Sequence, residues 1–309
     1  MSTVASNPPT MQCMEVWGGN AAIDNGVVMP GLDAWVYAKP YKEQAAGGDI
    51  HYVSSCATGR IVRLLVADVS GHGDEVADTA RALRSLMRRY INYLDQSKLI
   101  RGLNTEFTRL SEMSRFATAV VATYWSPTDE LHISNAGHPR PLWYRARTQS
   151  WHVLDTKAAP DAGLSNIPLG IAEPTTYDQM SVKLGAGDLV LIYTDALVEA
   201  AASDRRLLGE AGLLEIVRSI DVNAPESFIA SLLSAIRART GMEFGDDVTA
   251  LLLRPNTLKP RAGLGMGLMA GYRIARSAVR SLFRKEPVGL PETTMRNFGG
   301  AFVGRLNRD

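Results

Sequence analysis

Cysteine is nearly absent: the 309 residues hold only Cys13 and Cys56. Two thiols without metal-ligand spacing exclude a disulfide framework and a cysteine-rich metal site. They suit a reducing, cytoplasmic setting. Aromatic residues are few, at 7%. The body of the chain shows no basic, aromatic face, which argues against nucleic-acid binding. The opening stretch, "MSTVASNPPTMQCMEVWGGN", lacks the basic start and apolar block of a signal peptide. The apolar stretch before Arg273 runs for about ten residues, short of the roughly 20 that a bilayer-spanning helix needs. No internal repeat is visible.

What is present is an ordinary hydrophobic content of 46%, in a chain long enough for one large domain or two small ones. The net charge of +1 conceals an asymmetry. Residues 255–309 carry ten Lys/Arg against three Asp/Glu, a net +7, which leaves residues 1–254 at −6. An acidic body and a basic tail are two objects, and the tail suits an anionic partner.

The pattern of elements is uneven. Residues 1–30 are weakly patterned and read as an N-terminal extension. From Gly31 to about Tyr52 the chain reads as a strand, a turn rich in Ala and Gly, and the start of a second strand. "RIVRLLVAD" has the continuous apolar run of a buried strand. Val76, Ala80, Leu83, Met87, Tyr90, Ile91 and Leu94 fall at helical spacing, and Asp74 and Glu75 suit that helix's N-terminus. A second helix is expected from about Ser97 to Met113. Strands follow at "FATAVVATYW", "ELHISNAG" and "RPLWYRA", and residues 151–183 are expected to form further strands around "IPLGIAE". "GDLVLIYTD" is another apolar run, two helices come after it, and "DDVTALLLRP" is a closing strand. Strands outnumber helices and come in consecutive runs, so the class is α+β rather than a doubly wound sheet.

Four aspartates sit at strand ends or in turns of Gly and Asp. They are Asp49 in "AAGGDIHY", Asp68 in "LLVADVSGHG", Asp195 in "VLIYTDALVEA" and Asp246 in "FGDDVTALLL". One such Asp is ordinarily a turn former or a helix cap. Four beside rigid apolar runs are a different matter, because an unpaired buried carboxylate is costly. Gathering them around divalent cations removes that cost, and hard oxygen ligands suit magnesium or manganese. Glycines near Asp68 let backbone carbonyls approach the same ions.

"GGD", "DVSGHG", "NAGHPRPL", "IPLG", "LIYTDALVEA" and "DDVT" occur in this order. The series resembles the bacterial sporulation-type (SpoIIE-like) serine phosphatases, a branch of the metal-dependent, type 2C protein phosphatases, over roughly Gly31 to Arg254. The resemblance implies a four-layer α-β-β-α sandwich over residues 31–254, with a two-metal site at one end and two bound cations, manganese or magnesium. Carried over by position, Asp68 bridges both ions and Val69 adds its backbone carbonyl. Asp49 sits on one ion, and Asp195 and Asp246 sit on the other. Asp247 occupies a neighbouring position that is not usually the direct ligand. His72 is a candidate general acid, although Ser70 stands where relatives place the histidine that follows the bridging aspartate. Ala196 replaces a glycine usual in the family. His138, in "NAGHP", is a family hallmark whose simpler role is to hold a turn.

The activity so implied is hydrolysis of phosphoserine or phosphothreonine by metal-activated water, with no phosphoenzyme. The substrate class it suggests is a phosphorylated regulator of the anti-sigma-factor antagonist type in a partner-switching pathway. The alternatives are a non-catalytic partner-binding pseudophosphatase and a hydrolase of a small phosphorylated metabolite. In relatives the helices after the bridging aspartate act as a switch, and residues 74–113 occupy that place. About thirty residues precede the core, so activation is expected from a separate activator protein or from the tail. In the basic tail, 255–309, residues 265–285 can form a helix with Arg273, Arg276, Arg280 and Arg284 on one arc and Ile274, Ala275, Ala278, Val279 and Leu282 opposite. Such a helix suits an anionic membrane surface, giving a peripheral position at the inner membrane face, or an acidic groove.

Overall fold

The computed structural model describes residues 10–11, 16–56, 59–71, 74–90, 93, 95–110, 115–155, 165–201 and 206–259. His72 and the tail helix expected over 265–285 lie outside the described residues.

Among the described residues, twelve strands form two antiparallel sheets. The first contains β1 (Val16–Gly19), β4 (Asp49–Ser55), β5 (Ile61–Val69), β6 (Ala117–Trp125), β7 (Glu130–Ala136) and β10 (Met180–Lys183), in that spatial order. The second contains β2 (Ile23–Met29), β3 (Leu32–Lys39), β12 (Val248–Pro255), β11 (Leu189–Tyr193), β8 (Leu142–Arg145) and β9 (Ser150–Val153). Two helices, α1 (Asp74–Tyr90) and α2 (Gln96–Leu110), cover the first sheet. The second is covered by α3 (Ala196–Glu199), α4 (Gly209–Val217) and α5 (Pro225–Thr240). The fold is therefore the four-layer α-β-β-α sandwich.

Strand β5 shows why the apolar run is continuous. Val62, Leu64 and Val66 join the core between the sheets, while Leu65, Ala67 and Val69 join the core beneath α1 and α2. An antiparallel strand with one wet face would alternate polar and apolar residues. Here helices cover the outer face, so the alternation disappears. The same holds for β11: Val190 and Ile192 face the other sheet, and Leu189, Leu191 and Tyr193 face the helices. On α1, Val76, Ala80, Leu83 and Met87 are buried at the expected helical spacing. Each large apolar side chain so buried contributes about 1.5–3 kcal/mol.

Two expectations need correction. Residues 16–29, read from sequence as part of an extension, supply an edge strand to each sheet. Their glycines and Asn25 weaken the strand signal, as edge positions tolerate. The further strands expected over residues 151–183 form at the two ends of that span, as β9 and β10, whereas "IPLGIAE" itself supplies only an isolated pairing of Leu169 with Ala117 on β6. Glycine and two prolines nearby break the ladder. Among the described residues, no helix is long and apolar enough to cross a membrane.

Candidate metal centre

Strand register brings the first two aspartates together. Asp49 opens β4 and is paired across the ladder with Asp68 near the end of β5, which in turn faces Thr118 on β6. Asp49 is buried, and its Oδ2 accepts a hydrogen bond from the Thr194 hydroxyl at 2.8 Å. Thr194 lies at the end of β11, where its Oγ1 also accepts from the backbone N–H of Thr249 at 2.9 Å. One threonine thus joins the two sheets at the edge where the aspartates gather. Asp195 follows at once and precedes α3, and its carbonyl accepts from the N–H groups of Val198 and Glu199 at 2.8 Å each.

Asp246 and Asp247 arrive from the loop before β12. Asp246 is exposed, and its Oδ1 accepts the N–H of Asp247 at 2.8 Å. Asp247 is committed to backbone. Its Oδ1 accepts from Tyr41 N–H and its Oδ2 from Gly48 N–H, both at 2.6 Å, with Asp49 N–H farther off at 3.4 Å. It therefore clamps both ends of the 41–48 loop. The two glycines of that loop are required by close approach. A Cβ on Gly47 would lie 2.2 Å from Asp247 Oδ2, and one on Gly48 would lie 2.9 Å from the Val69 carbonyl oxygen. The absent side chain at Gly48 keeps that carbonyl accessible.

The electrostatics show one cluster. Burial raises the Asp49 carboxyl well above its ordinary value, and the neighbouring Asp68 raises it further. Asp68 is pushed up to about 7, first by burial and then by the charges of Asp195, Asp246, Asp247 and Glu199. Asp195 is also raised, by burial and then by Glu199 and Asp246. No lysine or arginine is among the main causes of these shifts, and Asp68 has no hydrogen-bond donor among the described residues. An unneutralised set of carboxylates plus a backbone carbonyl is a donor set for hard divalent cations. Among the described residues, no group of three or more His, Cys, Asp or Glu side chains is arranged to hold an ion as it stands.

The remaining motifs brace this edge. Asn135 Nδ2 donates to the His138 carbonyl and Asn135 Oδ1 accepts the His138 N–H, each at 2.8 Å. His138 Nδ1 lies 2.8 Å from the hydroxyl of Thr118, the residue facing Asp68. Gly137 adopts a left-handed φ of 67°, and a Cβ there would meet Pro168 at 2.7 Å, so the "NAGHP" and "IPLG" turns pack together. Burial lowers the His138 pKa to about 3. The sign is that of a buried neutral base. The unfolded chain takes up a proton below about 6.5 while the fold does not, so stability is lost as pH falls from 6.5 toward 3. At pH 5 the expected cost is about 2 kcal/mol. Chemical denaturation of the wild type and His138→Asn should show a stability difference that shifts by about this amount in the variant's favour between pH 7.5 and pH 5.

Sequence reading missed Thr194, Thr249, the anchoring role of Asp247, and Glu199. The adjacency of Thr194 to Asp195 and the four-residue step from Asp195 to Glu199 were the available signals.

The family model described as Stage II sporulation protein E (SpoIIE) matches residues 58–256, more than half of the chain. The chain belongs to the SpoIIE family. Asp49 precedes the stretch matched by the SpoIIE model and is tied to it by the β4–β5 register. The SpoIIE-family chain is 20% identical over 224 residues to phosphoserine phosphatase RsbU of Bacillus subtilis (strain 168), covering 72% of this chain and 63% of the relative. It thus spans less than two thirds of that relative's length. A solved structure of the RsbU and RsbW domains of Rv1364c from Mycobacterium tuberculosis superposes with a TM-score of 0.63 at 26% identity, covering 84% of this chain and 71% of that one. The catalytic domain of the serine threonine protein phosphatase PstP, in complex with two manganese ions, shares the fold at a TM-score of 0.51 and 14% identity, covering 73% of this chain and 98% of that one.

Proposed function

We propose that this SpoIIE-family chain is a metal-dependent protein serine/threonine phosphatase. The observation that carries the reading is the carboxylate cluster at the sheet edge, with Asp49, Asp68 and Asp195 raised in pKa and no basic side chain among the described residues paired with them. A pure binding module would have no reason to hold these charges together against their repulsion. The manganese ions of PstP and the phosphoserine phosphatase activity named for RsbU support the same reading.

In this reading Asp49, Asp68, Asp195, Asp246 and the Val69 carbonyl would hold two divalent cations, manganese or magnesium. When bound, the cations supply an activated water nucleophile and neutralise charge on the phosphoryl oxygens. Asp68 would be held in place for the cations by the β4–β5–β6 ladder on either side of it. Thr194 fixes the Asp49 carboxylate, and Asp247 fixes the loop that leads into Asp49. His72 is left without a role in this account.

The proposed substrate is a phosphorylated regulator of the anti-sigma-factor antagonist type, and the proposed control is an activator protein acting through α1 and α2, which follow Asp68 directly. The discriminating experiment is a panel of phosphoserine proteins and peptides set against phosphorylated metabolites, assayed with manganese. Turnover of the phosphoproteins at higher kcat/KM supports the reading. Preference for a small metabolite replaces it with a metabolite hydrolase, and no turnover of any member with metal bound replaces it with a pseudophosphatase.

A further inference from the structure

A cleft of about 330 Å³ opens beside Asp246. Its floor is Tyr37 and Val248, on the outer face of the second sheet. One wall is the turn Tyr41–Glu43, whose position is set by the clamp from Asp247 to the Tyr41 N–H. Lys42 in that turn holds a left-handed backbone, φ 50° and ψ 34°, which costs a non-glycine residue about 1–2 kcal/mol. The opposite wall is Arg237 of α5 with Glu243 and Phe244.

The charges on the two walls differ in kind. Arg237 is already engaged: its Nε donates to Glu243 Oε2 at 3.1 Å and its guanidinium stacks over the Phe244 ring at 5.2 Å. Lys39 and Lys42 are exposed and have no carboxylate partner among the described residues. Lys42 Nζ sits 5.0 Å from the centre of the Tyr41 ring. Two exposed lysines without a carboxylate partner among the described residues, beside a cluster of aspartates, are not the background of this surface, because residues 1–254 carry a net charge of −6. The cleft is also of a size that holds one or two side chains, with aromatic surface beneath the charges.

We propose that this cleft receives the residues flanking the phosphoserine of a protein substrate, and that Lys39 and Lys42 select acidic residues there. The proposal rests on the phosphatase reading above and adds a substrate class to it. Asp246 belongs to both the cleft and the acidic cluster, so a chain seated in the cleft enters the reaction site directly. The aromatic surface of Tyr37, Tyr41 and Phe244 offers an anchor for one apolar side chain next to the acidic ones.

The test uses the full chain with manganese and two phosphoserine peptides of equal length, one flanked by Asp and Glu and one by Lys. An aryl phosphate without flanking groups is the third substrate. The wild type is expected to favour the acidic peptide by about tenfold in kcat/KM, the effect of two partly exposed ion pairs. Lys39→Glu/Lys42→Glu is expected to abolish or invert that ratio. An unchanged ratio overturns the proposal. So does an equal fall on all three substrates, which would place the lysines on the phosphoryl group itself. Anisotropy with labelled peptides on the Asp68→Asn protein scores the cleft without turnover. A binding preference without hydrolysis in the wild type would sink the phosphatase reading and leave the cleft standing, whereas equal Kd values for the two peptides would sink the cleft.

Discussion

Replacing Asp68 by asparagine is expected to lower phosphate release by about 10³-fold and, in the chelator-stripped protein, to raise the melting temperature. The two effects share one cause. Asp68 is half-buried near the end of β5 among Asp195, Asp246, Asp247 and Glu199, and its carboxyl is pushed up to about 7. Without cations, ionising it works against both burial and its neighbours. The folded state holds this proton more tightly than the unfolded chain. Its contribution to stability is therefore full below about pH 4 and is lost as pH rises through 7. Asparagine removes the loss. At pH 8 the metal-free variant should be more stable by on the order of 2–4 kcal/mol, or about 5–10 °C, with the difference shrinking toward pH 4. Calorimetric melts of both proteins at the two pH values measure this directly. A variant that is inactive and also less stable at pH 8 would show that Asp68 is a structural residue.

Asp247→Ala is expected to do the opposite to stability. Its carboxylate is the acceptor for the N–H groups of Tyr41 and Gly48, at 2.6 Å each. Hydrogen bonds to a charged acceptor are worth about 1.5–3 kcal/mol each, and the released donors sit in a loop packed against Val69 and Val76. The expected loss is about 2–4 kcal/mol, read as a lower denaturant midpoint. Activity should fall by only about 10–100-fold, as for a group that orients a ligand rather than being one. Manganese affinity, measured by titration calorimetry, should weaken without loss of a binding site. Loss of one ion from the stoichiometry would instead make Asp247 a direct ligand. The pair of adjacent aspartates, Asp246 and Asp247, would then have exchanged roles.

Much of this was legible in the chain because the fold covers both faces of its central strands. The apolar runs before Asp68 and Asp195 could be read as buried strands, and the spacing of Val76, Ala80, Leu83 and Met87 gave α1 directly. The order of the motifs gave the family, and the candidate ligands were carried over from it by position. The edge strands β1 and β2 were not legible, since VWGG and IDNGVVM carry glycine and polar residues where neighbours on one side only suffice. The role of Thr194 was hidden for a different reason. Its partner Asp49 is 145 residues away in sequence, and only the meeting of the two sheets joins them. The same distance effect hid the Asp247 clamp, whose local sequence "GDDVT" gives no sign that one of its two carboxylates serves the backbone.

The central claim is that the aspartate cluster makes the chain a cation-dependent phosphatase. Its most direct measurement is inorganic phosphate release from a phosphoserine peptide, first by chelator-stripped protein and then after adding manganese, with metal binding followed in the same samples. The account predicts no release from the stripped protein, recovery on manganese addition, and saturation of activity in step with metal occupancy. Release that persists under chelator, or manganese bound at Asp68 with no release from any phosphoserine substrate, would contradict it.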